Sequence, residues 1–212
     1  MQKYVLLLIG LAFWAACEKE EKPSNPELCA EEYFYYSGGS KIFLKHSLNR
    51  VWIVFNQGEI TGAVAKSILG KYAFIHTDNL SDDRYYKQIM ADIHPTCDCA
   101  GFKNYLKELN KDNEIGAATP VFYTSENGPA AYWILLSEVL TAHNEANISE
   151  PEFISYAETL NLELVKSRYS SQHFKVHEVT TGFEALEIAN QIYESGKAQY
   201  SHPNFIAQTV LF

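Results

Sequence analysis

The sequence has no run of lysine or arginine anywhere in its 212 residues, and only 17 Lys and Arg against 26 Asp and Glu. A formal charge of −9 excludes a general nucleic-acid binder, because neutralising phosphates needs clustered cations. Four cysteines are too few to scaffold a chain this long. There is no uncharged run near the ~20 residues that a membrane-spanning helix requires. Gly-x-Ser-x-Gly and Gly-Thr-Ser nucleophile turns are missing, and the seven histidines (46, 76, 94, 143, 173, 177 and 202) stand at no motif spacing from a nucleophile. The chain therefore reads as non-catalytic. Gly58, Gly62 and Gly70 make no phosphate loop, since Lys71 precedes Tyr72 rather than Ser or Thr. Asp78, Asp82 and Asp83 lack the Asp-x-Asp-x-Asp-Gly order of a calcium loop and read as a solvated turn. What is abundant is aromatic: 14 Tyr and 12 Phe, expected in strands and core, with Tyr35-Tyr36 and Tyr85-Tyr86 read as strand residues rather than a glycan platform.

The amino end has an address of its own. Lys3 precedes an uncharged stretch from Tyr4 to Ala16, short enough for a signal-peptide core, and Ala15-Ala16 stand directly before Cys17. This resembles a bacterial lipobox, with Trp14 in place of the usual Leu or Val. The resemblance implies cleavage before Cys17 and lipid attachment to its thiol. Residues 18–26, charged and proline-containing, form a tether without apolar periodicity. Acidic residues behind a lipidated cysteine resemble the export signals of Bacteroidetes surface lipoproteins, implying an exported outer-membrane or cell-surface location. Cys29, Cys97 and Cys99 leave several readings open: a disulfide from Cys29 to Cys97 or Cys99, or free thiols. His94-x-x-Cys97-x-Cys99 offers three metal ligands, but without a second cysteine pair no metal site is expected.

The carboxyl half shows its elements most clearly. Residues 138–142 read as a strand, and Ser149-x-x-Glu152 is a capping box opening a helix with Phe153, Ile154, Tyr156, Ala157 and Leu160 on its apolar face. Residues 163–165 and 174–179 read as strands around a turn at Tyr169–Gln172. Thr181-x-x-Glu184 is a second capping box, opening a helix whose Phe183, Leu186, Ala189, Ile192 and Tyr193 recur at spacings of three and four and which Gly196 ends. Residues 199–212 form a last extended run. The order is βαββαβ, the ferredoxin-like unit. The first half repeats this in worn form. Residues 49–56 match the strand before Asn144. Gly101-Phe102 matches Gly182-Phe183, and Ala118-Thr119-Pro120-Val121-Phe122 matches Ser201-His202-Pro203-Asn204-Phe205. The expected class is α+β, with two tandem ferredoxin-like units, the first degenerate. The boundaries are 1–16 for the signal peptide, 17–31 for the lipidated tether, 32–125 for the first unit and 126–212 for the second.

The stretch Phe183–Gly196, followed by Gln199-Tyr200-Ser201-His202-Pro203-Asn204-Phe205, resembles the end of a subtilisin-like peptidase propeptide. It keeps Tyr200, Pro203, Asn204 and Phe205 but has Ser201-His202 where Ala-Glu is usual. Tyr35–Leu44, followed by a strand ending Val54-Phe55, is similar to the start of fervidolysin-like prodomains. The likeness frames residues 33–212 and is weak between 60 and 135. It implies a partner, a subtilisin-like serine peptidase, bound in trans, or in cis if the chain is a truncated precursor. It implies no cofactor. It also implies a detachable strand from Tyr200 to Phe212 lying in the protease cleft, with Gln208, Thr209, Val210, Leu211 and Phe212 nearest the catalytic serine. The alternatives are a truncated zymogen prodomain without activity of its own, and a surface binding or adhesion module reusing the fold.

Overall fold

The computed structural model describes residues 27–95, 97–123 and 132–207. Cys17, the signal segment and Gln208–Phe212 lie outside the described residues. The class is α+β, with ten strands, mostly antiparallel, and four helices among the described residues. No helix among the described residues is long and apolar enough to cross a membrane.

Strands β1 (Tyr33–Ser37) and β2 (Ser40–Phe55) form a hairpin about the Gly38-Gly39 turn. Both glycines take positive φ, which lets so tight a connection close. Beyond the hairpin β2 continues, pairing with β5 (Gln88–Asp92) on one side and β6 (Ile115–Tyr123) on the other. Between them, β3 (Ile60–Thr61), α1 (Gly62–Leu69) and β4 (Tyr85–Tyr86) form a small flank, and α2 (Cys99–Leu109) precedes β6. Thr61 and Asp98 start the two helices by accepting from the Val64 and Gly101 N–H groups.

The second half is β7 (Tyr132–His143), α3 (Glu150–Glu158), β8 (Leu162–Arg168), β9 (Ser171–Val176), α4 (Glu184–Glu194) and β10 (Ala198–Ala207). Strand β7 lies between β9 and β10, and β8 pairs with β9. The expected capping box at α3 is present, the Glu152 carboxylate accepting from the Ser149 N–H and Oγ. At α4 it takes another form. Glu184 is the first helical residue, not the third, and its carboxylate gathers the N–H groups of Thr180, Thr181 and Gly182 into one turn.

The pairing registers of the two halves correspond. Val51 of β2 faces Ala91 and Pro120, and Val139 of β7 faces Phe174 and Pro203. Both prolines thus sit inside strands, opposite equivalent valines.

The halves are joined by pairing of β6 with the first residues of β7, so one sheet runs through the molecule. One buried cluster also runs through it, drawing Ile68, Phe102, Leu106, Phe153 and Leu186 from the four helices onto Ile53, Leu135 and Val139. The other face bears a small cluster of Val121, Tyr123 and Ile134 with Trp52 and Met90 at its margin, and no described helix contributes to it. The run β1-β2-β6-β7-β10 curves until its ends meet: Tyr35 of β1 packs 5.4 Å from Phe205 of β10, with Trp133 5.4 Å from the same ring. His46 lies close to this junction, stacked 4.7 Å from Phe102 of the first half and edge-on 5.5 Å from Phe183 of the second. Gly182 permits the closure. Its φ is +82°, and a Cβ there would stand 2.4 Å from the Ala118 carbonyl oxygen.

Candidate functional site

Strand β10 and the surface beside it bring together the described residues that the propeptide resemblance singles out. Tyr200, partly exposed, donates to Ser171 Oγ at 3.3 Å and stacks on His202. Asn204 Nδ2 donates to Glu138 Oε2 at 2.7 Å, and His173 Nε2 lies 3.0 Å from the same oxygen. These groups line the helix-free face. By strand alternation Pro203 and Phe205 turn the other way. Pro203 is buried opposite Val139, and Phe205 packs between Tyr35 and Trp133.

This changes the expectation of a strand detachable from Tyr200 onward. From Ala198 to Ala207 the strand pairs with β7, and Phe205 belongs to the junction of the halves. Peeling it off would expose the aromatic core, so any segment free to enter a cleft begins after Ala207. Gln208, Thr209, Val210, Leu211 and Phe212 are the residues left for that role and lie outside the described residues, as does Cys17.

Beside β10 is a cleft of about 370 Å³ between the Ser37–Gly39 turn and Tyr193, Tyr200 and His202. A second, of about 260 Å³, adjoins it at Ser37 and His202 and is floored by Pro203 and Asn204. Sequence reasoning missed what builds these clefts: the N-terminal hairpin is drawn across onto α4. Tyr36 stacks on Tyr193 at 4.3 Å and donates to Glu194 at 2.8 Å, which holds its phenol above the ordinary range. Asn190 Nδ2 donates to the Phe34 carbonyl, using an acceptor on the outer edge of β1. No local signal in the sequence links Tyr36 to Tyr193, which belong to opposite ends of the chain.

A second polar group, also unforeseen, lies under α3. The Gln172 side chain accepts from the His143 N–H, its Nε2 meets His143 Nδ1 at 3.0 Å, and it reaches Glu150 at 3.3 Å. Because that amide nitrogen donates, His143 Nδ1 is the acceptor and its proton sits on Nε2. Gln172 and His143 are buried, so the group fixes the start of α3 against β7 and β9.

Of the cysteines, Cys29 and Cys99 form a disulfide with Cα atoms 5.3 Å apart, leaving Cys97 as a free thiol. The bond spans 70 residues and ties the entering chain to the first residue of α2, a loop long enough for a cross-link to stabilise by about 2–4 kcal/mol. The same segment is held by the Leu28–Ser47 bridge and a Glu31–Lys103 ion pair. Cys29, Glu31 and Cys99 lie close together, but the sulfurs are consumed by the disulfide and offer no thiolate to a metal. His94, Cys97 and Cys99 are not a ligand set for the same reason.

No family model, no curated protein and no solved structure matches the chain.

Proposed function

We propose that this chain is a surface lipoprotein, non-catalytic itself, that binds a subtilisin-like serine peptidase as a propeptide does, inhibiting it or assisting its folding. The observation that carries the reading is the strand order of the second half. The order β10-β7-β9-β8, with α3 and α4 as the crossovers, is that of a ferredoxin-like unit, and its last strand leads directly into Gln208–Phe212. The first half supports a degenerate copy. Its order is β6-β2-β5, with the fourth strand reduced to the single bridge Ile75–Ile93. The matched registers at Val51 and Val139 support duplication with boundaries near 32–125 and 126–212. A disulfide suits an exported protein, in keeping with lipid attachment at Cys17 and a surface location.

On this reading the helix-free face, with Glu138, His173 and Asn204 among its polar groups, is the docking surface, and the tail extends from it by β-augmentation. The aromatic junction makes both halves one rigid support. The test compares a soluble chain begun at Glu18, which keeps Cys29, with the same chain lacking 208–212. The longer form should inhibit a broad subtilisin at micromolar concentration or better. Removing the five residues should weaken inhibition at least tenfold, about 1.4 kcal/mol, with an unchanged melting point. Equal inhibition by both forms would move the contact away from the tail, and inhibition by neither would favour a surface adhesion module.

A further inference from the structure

We propose that His76 and His94 form a binding site for a divalent transition-metal ion of the zinc type, bridging the short segment after α1 to the end of β5. The two side chains come from two separate segments that meet at the isolated bridge Ile75–Ile93. The backbone holds both in place: the His76 N–H donates to the Asp92 carbonyl at 3.1 Å, and the His94 N–H to the Phe74 carbonyl at 2.9 Å. The imidazoles stand with centroids 4.4 Å apart and planes inclined by 64°. With Zn–N bonds of about 2.0–2.1 Å, two imidazoles sharing one tetrahedral ion have centroids about 5 Å apart. The observed separation is close to that value, so the two rings stand near enough to share an ion. Both residues are exposed, so an ion can enter and water can complete its coordination. The Asp92 carboxylate stays with Arg50 at 3.7 Å and contributes nearby negative charge rather than a ligand.

The pattern His94-x-x-Cys97-x-Cys99 pointed along the chain for the partners of His94, and the fold supplies a partner from across the bridge instead. Cys99 is bonded to Cys29. Cys97 sits against Gly101, and burial together with the Asp98 carboxylate pushes its thiol up, away from the thiolate a metal needs. The ion would act as a staple where one backbone bridge stands in for a whole strand.

The experiment uses the untagged full-length chain, titrated with zinc alone by calorimetry at neutral pH and followed by thermal melts with and without zinc. One zinc should bind per chain and raise the melting point. His76→Gln and His94→Gln should each weaken binding at least tenfold and remove the rise, while His177→Gln and Cys97→Ser should change neither. Failure of the wild-type chain to bind zinc overturns the proposal, as does binding that both variants retain or that Cys97→Ser abolishes. If either variant melts abnormally without zinc, the ring C–H resonances of the wild-type histidines decide. Zinc must shift His76 and His94 together, and a response from neither overturns the site. The outcome is independent of whether the chain binds a peptidase.

Discussion

His46 shows how much a single side chain can be asked to tolerate. It is fully buried among Tyr33, Phe102, Phe122 and Phe183, with Nδ1 2.9 Å from the Ser47 carbonyl and Nε2 without a partner among the described residues. Burial pushes its pKa below the ordinary 6.5, outweighing the Ser47 bond that favours the cation. As pH falls through about 6.5, unfolded chains take up a proton that folded ones refuse, so stability is lost on acidification. The loss is at most ~1.4 kcal/mol per pH unit for one group. The carboxylates held low, Glu31, Asp112, Glu150 and Glu152, lose their contribution only below the ordinary carboxylate range. Burial raises Glu187, which favours the fold as pH falls and opposes the histidine. At pH 5–6.5 the histidine is therefore read from the difference between the wild type and a variant without it. Urea midpoints across that window should decline for the wild type and decline less for His46→Phe; parallel slopes would place the proton elsewhere. Nothing in the sequence around Lys45-His46-Ser47 marked this histidine, because its aromatic box is assembled from four separate elements.

Among the elements, α4 carries the most. Leu186 and Ile192 face the core, and Phe183 and Gly182 at its start lock it against β6 and α2. Its apolar spacing and its stop at Gly196, where φ is +69°, were legible because helix period and glycine's left-handed freedom are local properties. The first turn was less so. Glu184 captures three N–H groups of the preceding turn, and that geometry depends on the chain reversing at Gly182 beneath the Ala118 carbonyl. Gly182→Ala should therefore cost more than ~2 kcal/mol, combining a strained φ with a backbone clash. Leu186→Ala should cost about 2–5 kcal/mol by cavity formation. Denaturant melts measure both, and a neutral Gly182→Ala would mean that the two halves close less tightly than described.

At the scale of the whole molecule, two tandem units would be expected to melt as two bodies. The described structure has one cluster crossing both halves, a sheet continuous through β6 and β7, and Asn110 of the first half hydrogen-bonded to Ala118 and to Thr180 of the second. Unfolding should accordingly be a single transition, with tryptophan fluorescence and far-UV circular dichroism coinciding. Fragments cut near residue 126 should not fold separately. Two resolved transitions, or a stable isolated 126–212, would contradict this account.

The sequence by itself determined whatever depends on neighbours along the chain: the apolar faces of α3 and α4, the capping box at Ser149, and the strands of the second half. The likeness of Pro120 to Pro203 and of Phe102 to Phe183 was also readable, since matching residues recur in the same order. Tertiary structure alone decided which partners those elements took. It chose Cys99 over Cys97 for Cys29, brought His76 to His94, laid Tyr36 on Tyr193, and built Tyr200–Ala207 into the sheet rather than leaving it free. Each of these is a contact between residues distant in sequence. For the rings and the strand, the energy comes from desolvation and edge pairing that no local window contains.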